Sequence, residues 1–379
     1  MGKWIKQLKI CVWMLLLGSL ACGCGGCGSE KALGDGNTQT KGYQTDGGEN
    51  PSDKLKVVTT LFPYYDFTRQ IAGDAVELTM VVPAGMDSHS FEPTPADMRT
   101  IQEADLLICN GGAMEHWLSQ VLEAVDASGV TVVTMMDYVD AVQEEIVEGM
   151  EDEVHDHDHT HAHEEADVAE HHHVHDENCD EDHDHAGSQL QNWTDDDGHH
   201  TEIEYDEHIW TSPVNAMAFT NVIADTLMEM DPENRERYDQ AREEYLKELE
   251  AVHEGFLDVA AHRQRNMIIV GDKFPFRYLA DEYGFFYRAA FSGCSTDTEP
   301  SARTIAYLID KVREEQMPVV YYLELSSHRV TEIIGEETGA QPELLHSCHN
   351  VTRKEFDSGI TYVELMQQNI ENLRKGLVE

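Results

Sequence analysis

The side chain with the most chemistry to offer in this 379-residue sequence is histidine, which occurs 21 times. A few histidines stand alone in short loops that read as strand-to-helix connections. His89 sits in Asp87-Ser88-His89-Ser90-Phe91-Glu92-Pro93, and His208 in Glu207-His208-Ile209-Trp210-Thr211-Ser212-Pro213. His346 and His349 share Leu345-His346-Ser347-Cys348-His349-Asn350. One loop histidine is most often a surface or hydrogen-bonding residue. Several at the carboxyl ends of strands, where open α/β sheets bind ligands, point to a metal site. Neutral imidazole suits Zn²⁺, Cu²⁺ and Ni²⁺, whereas Mg²⁺ and Ca²⁺ want oxygen. His116, His253, His262 and His328 read as structural or surface residues. A zinc hydrolase is disfavoured, because neither His-Glu-x-x-His nor Gly-x-Ser-x-Gly occurs.

A second histidine population is crowded into one tract: 13 of the 21 lie between His155 and His200. His155, His157, His159, His161 and His163 alternate with small or acidic residues, and His171, His172, His173 and His175 follow. Residues 144–207 also hold 25 of the 73 acids and no Lys or Arg. Such a run cannot bury a core, so it is expected to lack a fixed fold without metal. Weak binding of several zinc ions is its expected chemistry, since a merely solvated acidic loop has no need of alternating histidine. The net charge of −47 excludes nucleic-acid binding and docking on an anionic bilayer through a basic face.

The amino terminus reads as an export signal. Lys3, Lys6 and Lys9 precede an apolar run from Ile10 to Leu20, too short for a membrane span of ~20 residues. A small residue followed by Cys then resembles a bacterial lipidation site. Cys22 is favoured over Cys24 as the lipidated residue, and a zinc site in the Cys22, Cys24 and Cys27 cluster is disfavoured by its glycine flanks. Export permits disulfides. Cys109 lies in a buried-strand pattern and Cys179 in the acidic tract, while Cys294 and Cys348 fall in polar loops and are expected to pair.

The elements that must position these residues alternate strand and helix. Strand patterns at 56–61, 76–82, 106–109 and 130–135 are interleaved with helices at 64–72, 95–104 and 111–127. The alternation resumes after residue 267 with strands at 267–270, 285–290 and 319–323. The expected architecture is α/β: two α/β lobes joined by one long rigid helix, with a metal site between them. Residues 1–22 are the signal segment and 23–54 a flexible tether. Residues 55–213 form the first lobe with the insert at 142–205, 214–261 the connecting helices, and 262–379 the second lobe.

Four segments give the chain a family resemblance: Thr60-Leu61-Phe62-Pro63-Tyr64-Tyr65-Asp66-Phe67, the Gly85–Pro95 segment with His89, Asn110-Gly111-Gly112-Ala113-Met114-Glu115-His116-Trp117, and Glu207-His208-Ile209-Trp210 before Pro213-Val214-Asn215-Ala216. Over about residues 55–377 the chain resembles the solute-binding lipoproteins of bacterial zinc/manganese ABC importers. The resemblance implies high-affinity extracytoplasmic capture of Zn²⁺, delivery to an ABC-type permease, lipid attachment to the cell membrane, a monomer, and no enzymatic activity. Manganese is the rival cargo. Surface adhesion, sometimes ascribed to this family, and zinc storage are the rival roles.

Matched by motif, His89 and His208 fall on the first two ligand positions of the family. The third, usually a histidine after a strand of the second lobe, reads Val270-Gly271-Asp272-Lys273-Phe274 here. The fourth, usually an aspartate eight residues beyond the Thr of a Thr-Gly-Ala stretch, falls on His346. The resemblance therefore implies His89, His208, His346 and Asp272 as ligands, with His349 in reserve.

Overall fold

The computed structural model describes residues 54–150, 193–194, 200–201, 205–295 and 299–379. Cys22, Cys24, the tether up to Asp53 and the insert histidines His155 to His175 lie outside these residues. Residues 51–379 form one compact unit.

Its first sheet is built from β1 (Lys56–Thr59), β2 (Glu77–Met80), β3 (Leu106–Cys109) and β4 (Thr131–Thr134), all parallel in the order β2-β1-β3-β4. Val58 lies opposite Thr79 on one side and Leu107 on the other. All four residues of β3 are buried, as befits an interior strand with both faces covered. The helices of this lobe are α1 (Phe62–Ala72), α2 (Pro95–Gln102) and α3 (His116–Ala124). The helix expected from residue 111 starts later. Gly111 and Gly112 have φ of +87° and +81°, and a side chain at Gly112 would run into the Glu207 carboxylate. Beyond β4 the chain enters the insert, where β5 (Trp193–Thr194) and β6 (His200–Thr201) form an antiparallel pair.

The second sheet contains β7 (Met267–Phe274), β8 (Phe286–Ser292), β9 (Val319–Tyr322) and β10 (Gln341–Leu344), parallel in the order β10-β9-β7-β8. β10 was not expected, because Gln-Pro-Glu-Leu carries no apolar alternation. It is an edge strand, where a proline is tolerated. A bulge interrupts β7 between Val270 and Lys273. It places Gly271 against α8 (Arg329–Thr338), where a Cβ would stand 3.1 Å from the Thr331 backbone nitrogen.

Two helices lie between the sheets in sequence. α4 (Pro213–Met230) starts with Pro213 in its first turn and is capped by Ser212, whose hydroxyl accepts from Asn215 N. α5 (Arg235–His262) has 28 residues and is therefore about 42 Å long. Its buried residues Tyr238, Tyr245, Leu249, Val252, Phe256 and Val259 recur at helical spacing. α5 packs on α1 and α4, and also on α6 (Arg277–Tyr283) and the closing helix α10 (Tyr362–Leu377). α10 is tied in turn to α1: the buried Asp66 carboxylate accepts from Tyr362 N at 2.6 Å, and Arg69 donates to the Ile360 carbonyl at 2.8 Å. The lobes are thus joined behind the cleft by packed helices. α7 (Ala302–Glu314) and α9 (Arg353–Ser358) complete the second lobe. Among the described residues no helix is long and apolar enough to cross a membrane.

Candidate metal centre

Each of three histidines is held by its own local device. Past β2, Asp87 caps a short 3-10 turn by accepting from the His89 N–H at 2.9 Å. His208 follows two buried acids. Asp206 Oδ1 accepts from the His208 backbone N–H at 2.8 Å and lies 3.1 Å from its ring Nδ1. Glu207 turns the other way and accepts from the amides of Ala113 and Met114, the latter at 2.6 Å. Asp206 thus stands behind the Nδ1 edge of a ring that borders the cleft, the usual arrangement of a carboxylate behind a ligating imidazole.

The third ring is that of His349. It stands 5.8 Å from His89 and 5.9 Å from His208 between ring centroids, and His89 and His208 are 6.2 Å apart. Trp210 lies against His349 at 5.4 Å and donates from its indole N–H to the Ser347 carbonyl at 2.8 Å. Ser88 Oγ sits 2.5 Å from His349 Nε2. Asn350 spans the lobes, donating to the carbonyls of Pro83 and Met86 at 2.8 and 2.7 Å. The three imidazoles border one cleft of about 370 Å³, shared with Asp272, Lys273 and Glu324.

Burial, followed by the charge of His208, pushes His89 down to about 4. His349 is pushed down to about 3 by burial and by its two histidine neighbours. Both rings are therefore neutral near pH 7, with lone pairs available. Burial opposes charging of His208 as well, but the Asp206 carboxylate outweighs it and raises that pKa. Among the described residues no three His, Cys, Asp or Glu side chains are already grouped as a bound ion would hold them. The spacing needed is close: three imidazoles on one zinc, with nitrogens about 2 Å from it, keep their centroids roughly 5 Å apart. Side-chain rotation can supply that difference.

His346, expected as a ligand, is elsewhere. It is 1% exposed and does not border the cleft. Its backbone is fastened at both ends to Asn369, and its Nδ1 accepts from Cys348 N at 2.9 Å. Cys348 has φ +59°, and this left-handed residue separates the inward ring of His346 from the cleft-facing ring of His349. Asp272 does border the cleft, with Oδ1 accepting from the Lys273 N–H at 2.8 Å.

The expected Cys294–Cys348 disulfide is absent, as both thiols are free. Cys348 is fully buried and its Sγ points to the His346 carbonyl at 3.8 Å. Cys294 ends the β8 connection beside His208, which it touches through a side-chain hydrogen bond. The residues missed in the sequence are Asp206, Trp210, Asn350 and Lys273. Only Asp206 had a signal, an acid two positions before a loop histidine.

Two parallel-sheet lobes joined by packed helices, with a polar cleft between them, define a two-lobed solute-binding protein. The chain matches the family described as zinc-uptake complex component A, periplasmic (ZnuA), over residues 57–376. It belongs to that family, whose members are binding components of transporters and not enzymes. One similar protein is the high-affinity zinc uptake system protein ZnuA of Bacillus subtilis strain 168, 30% identical over 343 residues, which are 90% of this chain and 92% of that protein. Another is the zinc-binding lipoprotein AdcA of Streptococcus pneumoniae serotype 4, 27% identical over 323 residues; the match covers 85% of this chain but only 56% of AdcA. Among solved structures, the metal-dependent lipoprotein YcdH of Bacillus subtilis superposes with a TM-score of 0.63 at 27% identity, covering 86% of this chain and all of that one.

Proposed function

We propose that this protein captures Zn²⁺ outside the cytoplasm through His89, His208 and His349 and passes it to an ABC-type permease. The observation that carries this reading is the convergence of three imidazoles from three separate loops, one of them backed by Asp206. Three imidazole nitrogen donors favour zinc over manganese, which prefers more oxygen. Asp272 is the in-chain candidate for a further oxygen donor. Cys22, or Cys24 in its place, carries the lipid that keeps the domain at the membrane surface.

The insert supports the same reading by where it is rooted. Gln143 bridges Tyr205, and Asp206 N donates to the Val142 carbonyl at 2.9 Å. Both ends of the histidine-rich segment therefore emerge beside His208, so ions loosely held there are released next to the cleft.

The test is zinc titration against a competing chelator, reading the tightest site. His349→Ala is expected to weaken that site by at least roughly 100-fold, since it removes one of three protein donors. His346→Ala leaves the affinity unchanged. The reverse pattern would return the ligand role to His346 and sink this assignment.

A further inference from the structure

Lys273 is out of place in a cleft built for a dication. It borders the same cavity as the three histidines, and its charge is among those that depress His89 and His349. Among the described residues, no carboxylate lies within the 4.0 Å ion-pair distance of its ammonium. A second polar group in this wall is also idle: the Ser326 hydroxyl is buried without a hydrogen-bond partner. Both are donors, and both await an acceptor.

The cleft's own carboxylates already accept hydrogen bonds from the cleft loops. Asp87 caps the His89 turn, Asp272 accepts from the Lys273 N–H, and Glu324 accepts from the Ser347 N–H and hydroxyl. Three imidazoles leave one position open on a tetrahedral zinc. The space is also generous. About 370 Å³ is available, whereas an ion with one water needs only one or two water volumes of about 30 Å³ each.

Resting on the zinc-capture reading, we propose that the cleft takes zinc together with a small carboxylate-bearing molecule. The carboxylate fills the fourth coordination position, and Lys273 and Ser326 hold it. An oxygen lone pair replaces a water on the ion, with no redox change. Lys273 then serves as the counter-charge of the chelating anion, which removes the conflict of placing an ammonium beside Zn²⁺. The cargo is a zinc chelate rather than the bare ion.

Equilibrium dialysis of the full chain with carbon-14 citrate or carbon-14 L-histidine, with and without equimolar zinc, tests this. At least one of the two is expected to be retained, and only when zinc is present. Lys273→Met should cut that retention at least tenfold when zinc is supplied at a concentration that saturates the variant's own cleft, with the melting temperature unchanged. His349→Ala should abolish retention, which separates the cleft from zinc held by the insert. If the wild-type chain binds zinc in the cleft but retains neither carboxylate, or if Lys273→Met retains as much, the chelate proposal fails and zinc capture stands. If no zinc binds in the cleft, both readings fall.

Discussion

At the scale of single residues, the cleft depends on how each imidazole is oriented and not only on its presence. Asp206 fixes His208 through two contacts, at 2.8 Å to the backbone N–H and 3.1 Å to Nδ1. Asp206→Asn keeps the shape but removes the charge that makes the imidazole a stronger donor. Zinc affinity should fall by about 10–100-fold, measured by chelator competition, with little change in melting temperature. A second buried acid acts on stability. Burial lifts Glu115 from an ordinary 4.5 to about 7. The folded chain therefore binds this proton more tightly than the unfolded chain. Its contribution is complete below the ordinary carboxyl pKa and is lost as pH rises to about 7, on the order of 3 kcal/mol in all. Urea midpoints of Glu115→Gln should fall less than those of the wild type between about pH 5 and pH 7. Parallel profiles would refute this account. His89 and His208 were readable as loop candidates because capping and proline signals lie within a few residues of each. The choice between His346 and His349 was not readable, because it turns on the backbone angle of Cys348.

At the scale of elements, the bulge in β7 presses Gly271 against α8, in the segment where the family resemblance implies a histidine. Gly271 packs where a Cβ would meet Thr331 at the start of α8, so any side chain there must push the helix away. Gly271→Ala should cost about 1–3 kcal/mol by overpacking, read as a lower midpoint in chemical denaturation. An unchanged midpoint would mean that α8 yields freely. The alternation of strands and helices was legible because buried parallel strands are continuous apolar runs. β10 was not, since an edge strand needs only a neighbour with free backbone groups. The start of α3 was hidden for a different reason: Gly112 leaves room for the carboxylate of Glu207, an acid roughly a hundred residues away in sequence, which accepts from Ala113 N.

At the scale of the whole molecule, the lobes are joined by α5 and by the bonds of α10 to α1, so binding should proceed with little swing of one lobe on the other. The insert is rooted in the described residues at Gln143 and Tyr205. Its roots are held together by the Gln143–Tyr205 bridge, so replacing residues 151–204 with a short Gly-Ser link should leave the melting temperature nearly unchanged. Zinc stoichiometry should drop to one while the tight site keeps its affinity. Loss of the tight site on shortening would make the insert itself the binder.

The sequence by itself determined the α/β class, the two-lobed order of elements, the charged histidine tract and the family. Each of these rests on local periodicity, on composition or on a contiguous motif, and all three survive without knowledge of which residues touch. Only the tertiary structure decided that His349 and not His346 faces the cleft, that Cys294 and Cys348 look in different directions, and that Lys273 and Ser326 share a wall with the imidazoles. Those outcomes depend on one left-handed residue, one strand bulge and the docking of loops from opposite lobes. They are set by packing between segments far apart in sequence, which no local pattern records.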